Sequence, residues 1–147
     1  MKLNLKEKGF SEKAALAGSV IAVACAVGNM VYGSMYEQYA DFMVVLSLLA
    51  GAALLIGYVL VNHRIVNWFG LLGTVAIGFG DGLFLTNSYN VWADTWGNIQ
   101  QYGSIVGEFS FFNSQGGPVP AAVLLLMGLT AAVCAIISCF GGKETAK

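Results

Sequence analysis

The sequence predicts an all-α integral membrane protein: a four-transmembrane-helix bundle with both termini in the cytoplasm (N-in/C-in) and a long outer loop containing an interfacial amphipathic helix. Three observations predict it. Of 147 residues, 57% are hydrophobic and only 10% charged, whereas a soluble domain carries about 25% charged side chains. Four apolar runs are each long enough to cross about 30 Å of hydrocarbon as a helix. Finally, the basic residues are confined to three segments. Lys2, Lys6, Lys8 and Lys13 precede the first run, Arg64 lies between the second and third, and Lys143 and Lys147 follow the fourth. Alternate crossing puts all of them on one face, while Glu37, Asp41, Asp94 and Glu108 fall on the other. The positive-inside rule makes the basic face cytoplasmic.

The chain has length for one membrane domain, 1–147, and no separate soluble domain. The first span, about 14–33, follows a lysine-bearing leader and is rich in Ala, Gly and Ser. Ala22-Val23-Ala24-Cys25 has the look of a lipoprotein cleavage box, but the large aliphatic residue expected three before the cysteine is missing. The first helix is therefore expected to be retained rather than removed as a signal peptide. The second span, 42–61, carries no charge and ends at the polar turn Asn62-His63-Arg64. The third, about 65–86, opens with Trp68 at interfacial depth and contains Asp81, an acidic residue inside a span. The fourth, 119–140, follows Pro118.

The outer segment 88–118 is too long and too aromatic for a linker. Val91, Trp92, Trp96, Ile99, Tyr102, Ile105, Val106 and Phe109 fall on one helical stripe, with Asp94, Asn98, Gln101 and Glu108 largely elsewhere. That pattern suits a helix lying in the outer interface, where Trp and Tyr keep apolar rings buried and polar tips wet. Trp92, Trp96 and Tyr102 are its candidate contacts with an outer-face ligand.

Small residues recur at four-residue spacing: Ala14, Gly18, Ala22 and Ala26 in the first span, and Gly70, Thr74, Gly78 and Gly82 in the third. Ser47 with Gly51, and Ala131 with Ala135 and Cys139, continue the pattern. Such stripes let helix backbones approach closely in lipid, so Gly18, Ala22, Gly70, Gly78 and Gly82 are expected packing positions of a tight bundle or a homo-oligomer. Tyr36-Glu-Gln-Tyr39-Ala40-Asp41 also resembles Tyr89-Asn-Val-Trp92-Ala93-Asp94, and Gly28-Asn29 resembles Gly80-Asp81. Hairpins 14–61 and 65–140 are thus candidate duplicates, set against chance alignment of apolar runs.

A carboxylate at a helix centre costs about 2.5–3.5 kcal/mol on insertion scales, so it usually faces protein, water or a ligand. Asp81 follows Ile65 by sixteen residues, about 24 Å along the helix and close to the outer boundary. It is expected to be solvated, protonated, hydrogen-bonded to Asn29, Tyr32 or Thr86, or paired with a cation. Those four residues are the candidate ligand- or ion-binding set.

Cys25, Cys134 and Cys139 all lie in apolar runs, where they act as small packing residues. The single histidine, His63, cannot supply a pair of haem ligands, and no nucleotide loop, metalloprotease helix or Ser/His/Asp set is present. No cofactor, metal or nucleic-acid partner is expected, and an enzyme is disfavoured. The first functional expectation is a small, oligomeric permease or channel-type protein for a small solute or cation. The alternative is an accessory subunit packing against a larger membrane protein, and the third is an outer-face ligand-binding protein. The bilayer is the certain partner, in a plasma membrane or bacterial inner membrane.

Overall fold

The computed structural model describes residues 8–61, 64–93 and 118–140. Four long helices dominate: α1 (Phe10–Met35), α2 (Phe42–Leu60), α3 (Asn67–Asn87) and α4 (Pro118–Phe140). Each is long and apolar enough to cross a membrane. Short 3-10 turns, Glu37–Tyr39 and Arg64–Val66, precede α2 and α3.

α1 begins four residues before the expected span because its polar first turn is held by side chains. The Gly9 N–H donates to Glu12 Oε2 at 3.1 Å, and Glu12 pairs with Lys8 at 3.0 Å. Lys8 Nζ also donates to Val59 O at 3.1 Å, bringing a cation to the negative end of α2. Beside it, the Tyr58 hydroxyl donates to Ser138 O at 3.3 Å and lies 3.5 Å from Ser11 Oγ. These contacts bring the start of α1 together with the ends of α2 and α4, so α1 runs antiparallel to both.

At the opposite end, Asp41 caps α2 by accepting the Met43 N–H at 2.8 Å. Its other oxygen accepts from Asn87 Nδ2 at 2.6 Å, tying the end of α3 to the start of α2.

The helices form a closed ring in which α1 packs on α2, α2 on α3, α3 on α4 and α4 on α1. Small residues set the spacing. A Cβ on Gly51 would lie 3.0 Å from Gly73 O, and one on Gly73 would lie 3.2 Å from Gly51 O, so α2 and α3 cross backbone to backbone. α1 meets α4 in the same way, where a Cβ on Gly18 would lie 3.2 Å from Ala131 O. The interior is filled by Ala22, Ala131 and Ala135 with Leu48, Leu55 and Ile77, each at most 1% exposed. With water absent from the bilayer core, polar groups must find partners within the protein. Thr74, Thr86 and Thr130 accordingly return their hydroxyls to carbonyls four residues earlier on their own helices.

The exterior is apolar, with Val20, Val27, Leu46, Leu71, Phe79 and Leu126 all exposed. Residues 89–93 are helical, and the Trp92 indole N–H donates to Ser88 Oγ at 2.9 Å. The rest of the expected interfacial helix, including Trp96 and Tyr102, lies outside the described residues, as do His63 and Asp94.

Candidate functional site

The inward face of α3 carries Gly70, Gly73, Ile77, Gly80, Asp81 and Phe84. Asp81 is thus turned into the bundle, where it is only 7% exposed. Its carboxylate rests on α4. A Cβ placed on Gly128 would collide with Asp81 Oδ1 and lie 2.7 Å from Cγ, so the bare glycine is the seat of the carboxyl group.

From α1, Cys25 lies within electrostatic reach of this carboxylate. Its thiol donates to Leu124 O of α4 at 3.4 Å. Asn29, one turn further along α1, donates its amide to Cys25 O at 2.9 Å and touches Sγ at 3.5 Å. Among the described residues no side chain donates a hydrogen bond to Asp81, and no group of three His, Cys, Asp or Glu side chains could hold a metal ion.

Tyr32 lies one helical turn beyond Asn29 on α1. The Tyr32 hydroxyl is buried and has no hydrogen-bond partner among the described residues. Its ring packs against Tyr36, Tyr39 and Phe84, with centroids 5.1, 5.8 and 6.1 Å apart. An unpaired buried hydroxyl costs about 1–3 kcal/mol, so this half of the bundle holds one uncompensated hydroxyl as well as a largely buried carboxylate.

Two grooves run beside α1 at this end. One, about 340 Å³, separates α1 from α4 and is lined by apolar side chains such as Val31, Met35 and Val123, with Tyr32 and Leu124 at its floor. The other, about 400 Å³, separates α1 from α2 and presents Asn29, Ser34 and Asp41 together with Phe42 and Val45. Asp81 lines neither. Towards the basic end the interior is closed by Leu48, Ile77, Leu55 and Ala22.

Of the four residues expected to bind a ligand, Asp81 and Tyr32 are buried in the half of the bundle that carries Asp41, and Asn29 stands between the second groove and Cys25. Thr86 is exposed and bonded to Gly82 O at 2.9 Å on its own helix. Gly18, Ala22 and Gly70 lie at helix contacts. Gly78 and Gly82 are on the exterior, with no atom within 4 Å of an added Cβ. The close approaches of α3 belong instead to Gly73 and Gly80, the latter 3.3 Å from Val44 O by the same measure. Gly128 and Cys25 complete the surroundings of Asp81. Gly128 had no sequence signal beyond lying in an apolar run, and Cys25 had none for a site, only the incomplete cleavage box at Ala22-Val23-Ala24-Cys25.

The chain matches no protein-family model, no curated protein and no solved structure. The described site brings together one carboxylate, one thiol and one amide in an apolar bundle, a set suited to taking up a positive charge.

Proposed function

We propose that this protein is a small membrane permease or channel-type protein for a small solute or cation, with Asp81 as its binding residue. The observation that supports this most is the burial of Asp81 inside the helix bundle without a hydrogen-bond donor among the described residues. Intramembrane carboxylates are costly, and they are typical of ion and proton pathways. Lys8, Lys13 and Arg64 favour a cytoplasmic basic end, which leaves Asp81, Tyr32 and the two grooves in the outer half. Both termini are then cytoplasmic, and the stretch from 89 onward lies at the outer interface.

The test is flux into proteoliposomes, followed with dyes for protons, Na⁺ and K⁺, for the wild type and Asp81→Asn. The expected result is an ion-specific flux lost in Asp81→Asn at equal incorporation. Flux indifferent to this substitution removes the proposal.

A second reading, a packing subunit of a homo-oligomer or of a larger membrane complex, is favoured by Gly78 and Gly82, which lie bare on the exterior of α3. Gly78→Leu should then break assembly in native mass spectrometry while leaving the monomer folded.

A further inference from the structure

We propose that the species bound at Asp81 is the proton, arriving from the outer groove between α1 and α2 past Asn29 and Cys25. This rests on Asp81 being the binding residue and adds the identity of what it binds.

The surroundings narrow the choice by volume and by donor chemistry. A drug-sized organic ligand needs a pocket of about 300–1,000 Å³. Among the described residues, three grooves of that size lie on the flanks of α1, and Asp81 lines none of them. A hard metal cation needs about six oxygen ligands at short distance. The described neighbours of Asp81 supply one carboxylate, a thiol already bonded to Leu124 O, and the bare backbone of Gly128. The fit at Gly128 is already too tight for one added carbon. A proton needs neither a cavity nor further ligands. Its arrival converts a buried charge into a neutral acid and removes the largest cost of the arrangement.

The proposed route follows side chains that lead from the groove towards Asp81, of which Asn29 and Cys25 touch. Asn29 lines the groove that also presents Ser34 and Asp41 at the outer end, and its amide touches Cys25 Sγ at 3.5 Å. Cys25 in turn lies within electrostatic reach of Asp81. Two side chains therefore stand between the groove and the carboxylate. Hydronium at the groove leaves water behind, and Asp81 takes the proton on a carboxylate oxygen; release reverses the step and no other bond changes.

Among the described residues, the titratable groups facing Asp81 are few. α1 contributes Cys25, with Tyr32 a turn or more outward. α2 presents Val44, Ser47 and Leu48 to α3 at Gly80, and α4 presents Gly128 and Leu124, so neither contributes a titratable group. No cation balances the carboxylate from these elements.

Infrared difference spectroscopy of the protein in proteoliposomes, between acidic and alkaline buffer, tests this directly. A carboxylic-acid carbonyl band should grow as pH falls, vanish in Asp81→Asn and persist in Asp41→Asn. It should not respond to exchange of Na⁺ for K⁺ at fixed pH. Asn29→Leu should slow its shift on transfer to deuterated buffer, and Gly128→Ala should move its midpoint, with the helical amide band of the same spectra reporting an intact fold. The proposal is overturned by an Asp81-dependent band that never titrates, by its absence at every pH, or by its displacement by Na⁺ or K⁺. Asp81-dependent flux of Na⁺ or K⁺ would refute the proton while keeping Asp81 as the binding residue. Flux indifferent to Asp81→Asn would instead remove the permease itself.

Discussion

Gly51→Ala places one methyl group at the crossing of α2 and α3. Its Cβ would lie 2.5 Å from Ile77 Cγ1, 3.0 Å from Gly73 O and 3.2 Å from the Ile77 backbone nitrogen. Ile77 Cγ1 can swing aside only into an interior where Ile77 itself is 0% exposed. The other two atoms are helix backbone, so the helices must part by several tenths of an ångström along a packed interface. Overpacking of this kind costs about 1–3 kcal/mol. Gly78→Ala, five residues along α3 from the crossing at Gly73, is the matched control, because its added methyl meets nothing within 4 Å. Its cost should stay within about 0.5 kcal/mol, as for surface positions generally. Unfolding equilibria in mixed detergent micelles, titrated with a denaturing detergent, should separate the two variants by about one to two orders of magnitude in the unfolding constant. Equal stabilities would refute the claim that a backbone-to-backbone crossing at Gly51 and Gly73 holds the bundle.

Tyr32→Phe removes a hydroxyl that is buried without a partner, so it should leave stability unchanged or raise it by up to about 1–3 kcal/mol in the same titration; a clear loss would show that the hydroxyl has a partner. Asp41→Ala deletes both the cap on Met43 N–H and the acceptor for Asn87 Nδ2. The expected loss is about 1–2 kcal/mol, seen also as faster amide exchange in the first turn of α2. Asp41→Asn, which keeps the capping oxygen, should recover most of it.

The four spans were legible because hydropathy and charge placement respond to the bilayer itself. The expected 42–61 and 119–140 differ from α2 and α4 by one residue each at one end. Polar first turns escape that signal. α1 extends back to Phe10 because Glu12 and Lys8 hold it, and α3 opens with a 3-10 turn over Arg64–Val66.

The stripe of small residues in α3 faces the interior of this bundle only in part, for a geometric reason. At 3.6 residues per turn, four residues advance about 400°, so a strict four-residue series rotates by about 40° per step. Gly82 therefore sits about 120° round the helix from Gly70 and emerges on the exterior. The buried series Gly70, Gly73, Ile77, Gly80 and Phe84 alternates steps of three and four and stays on one face. Asp81 was visible as an anomaly, a charge inside a span. Its seat was not, because Gly128 stands forty-seven residues further along the sequence, and one glycine in an apolar run signals nothing by itself.

The two halves of the bundle are held by different means, and this bears on how Asp81 could be reached. The backbone crossings at Gly51–Gly73 and Gly18–Ala131 lie on the basic side of Asp81, as do the ties of Lys8 to Val59 O and of Tyr58 to Ser138 O. On the other side the grooves flank α1, and the ties among the described residues include the Asp41–Asn87 hydrogen bond, the tyrosine cluster and the contact of Gly28 with Leu124. Opening at the basic end would have to part helix backbones that already touch, at a cost spread over the whole packed interior. Opening at the acidic end has to move side chains around α1, and it uncovers two polar groups whose burial is already unfavourable. Among the described residues, the packing around Asp81 is therefore asymmetric, looser at the end that carries Asp41 than at the end that carries Lys8.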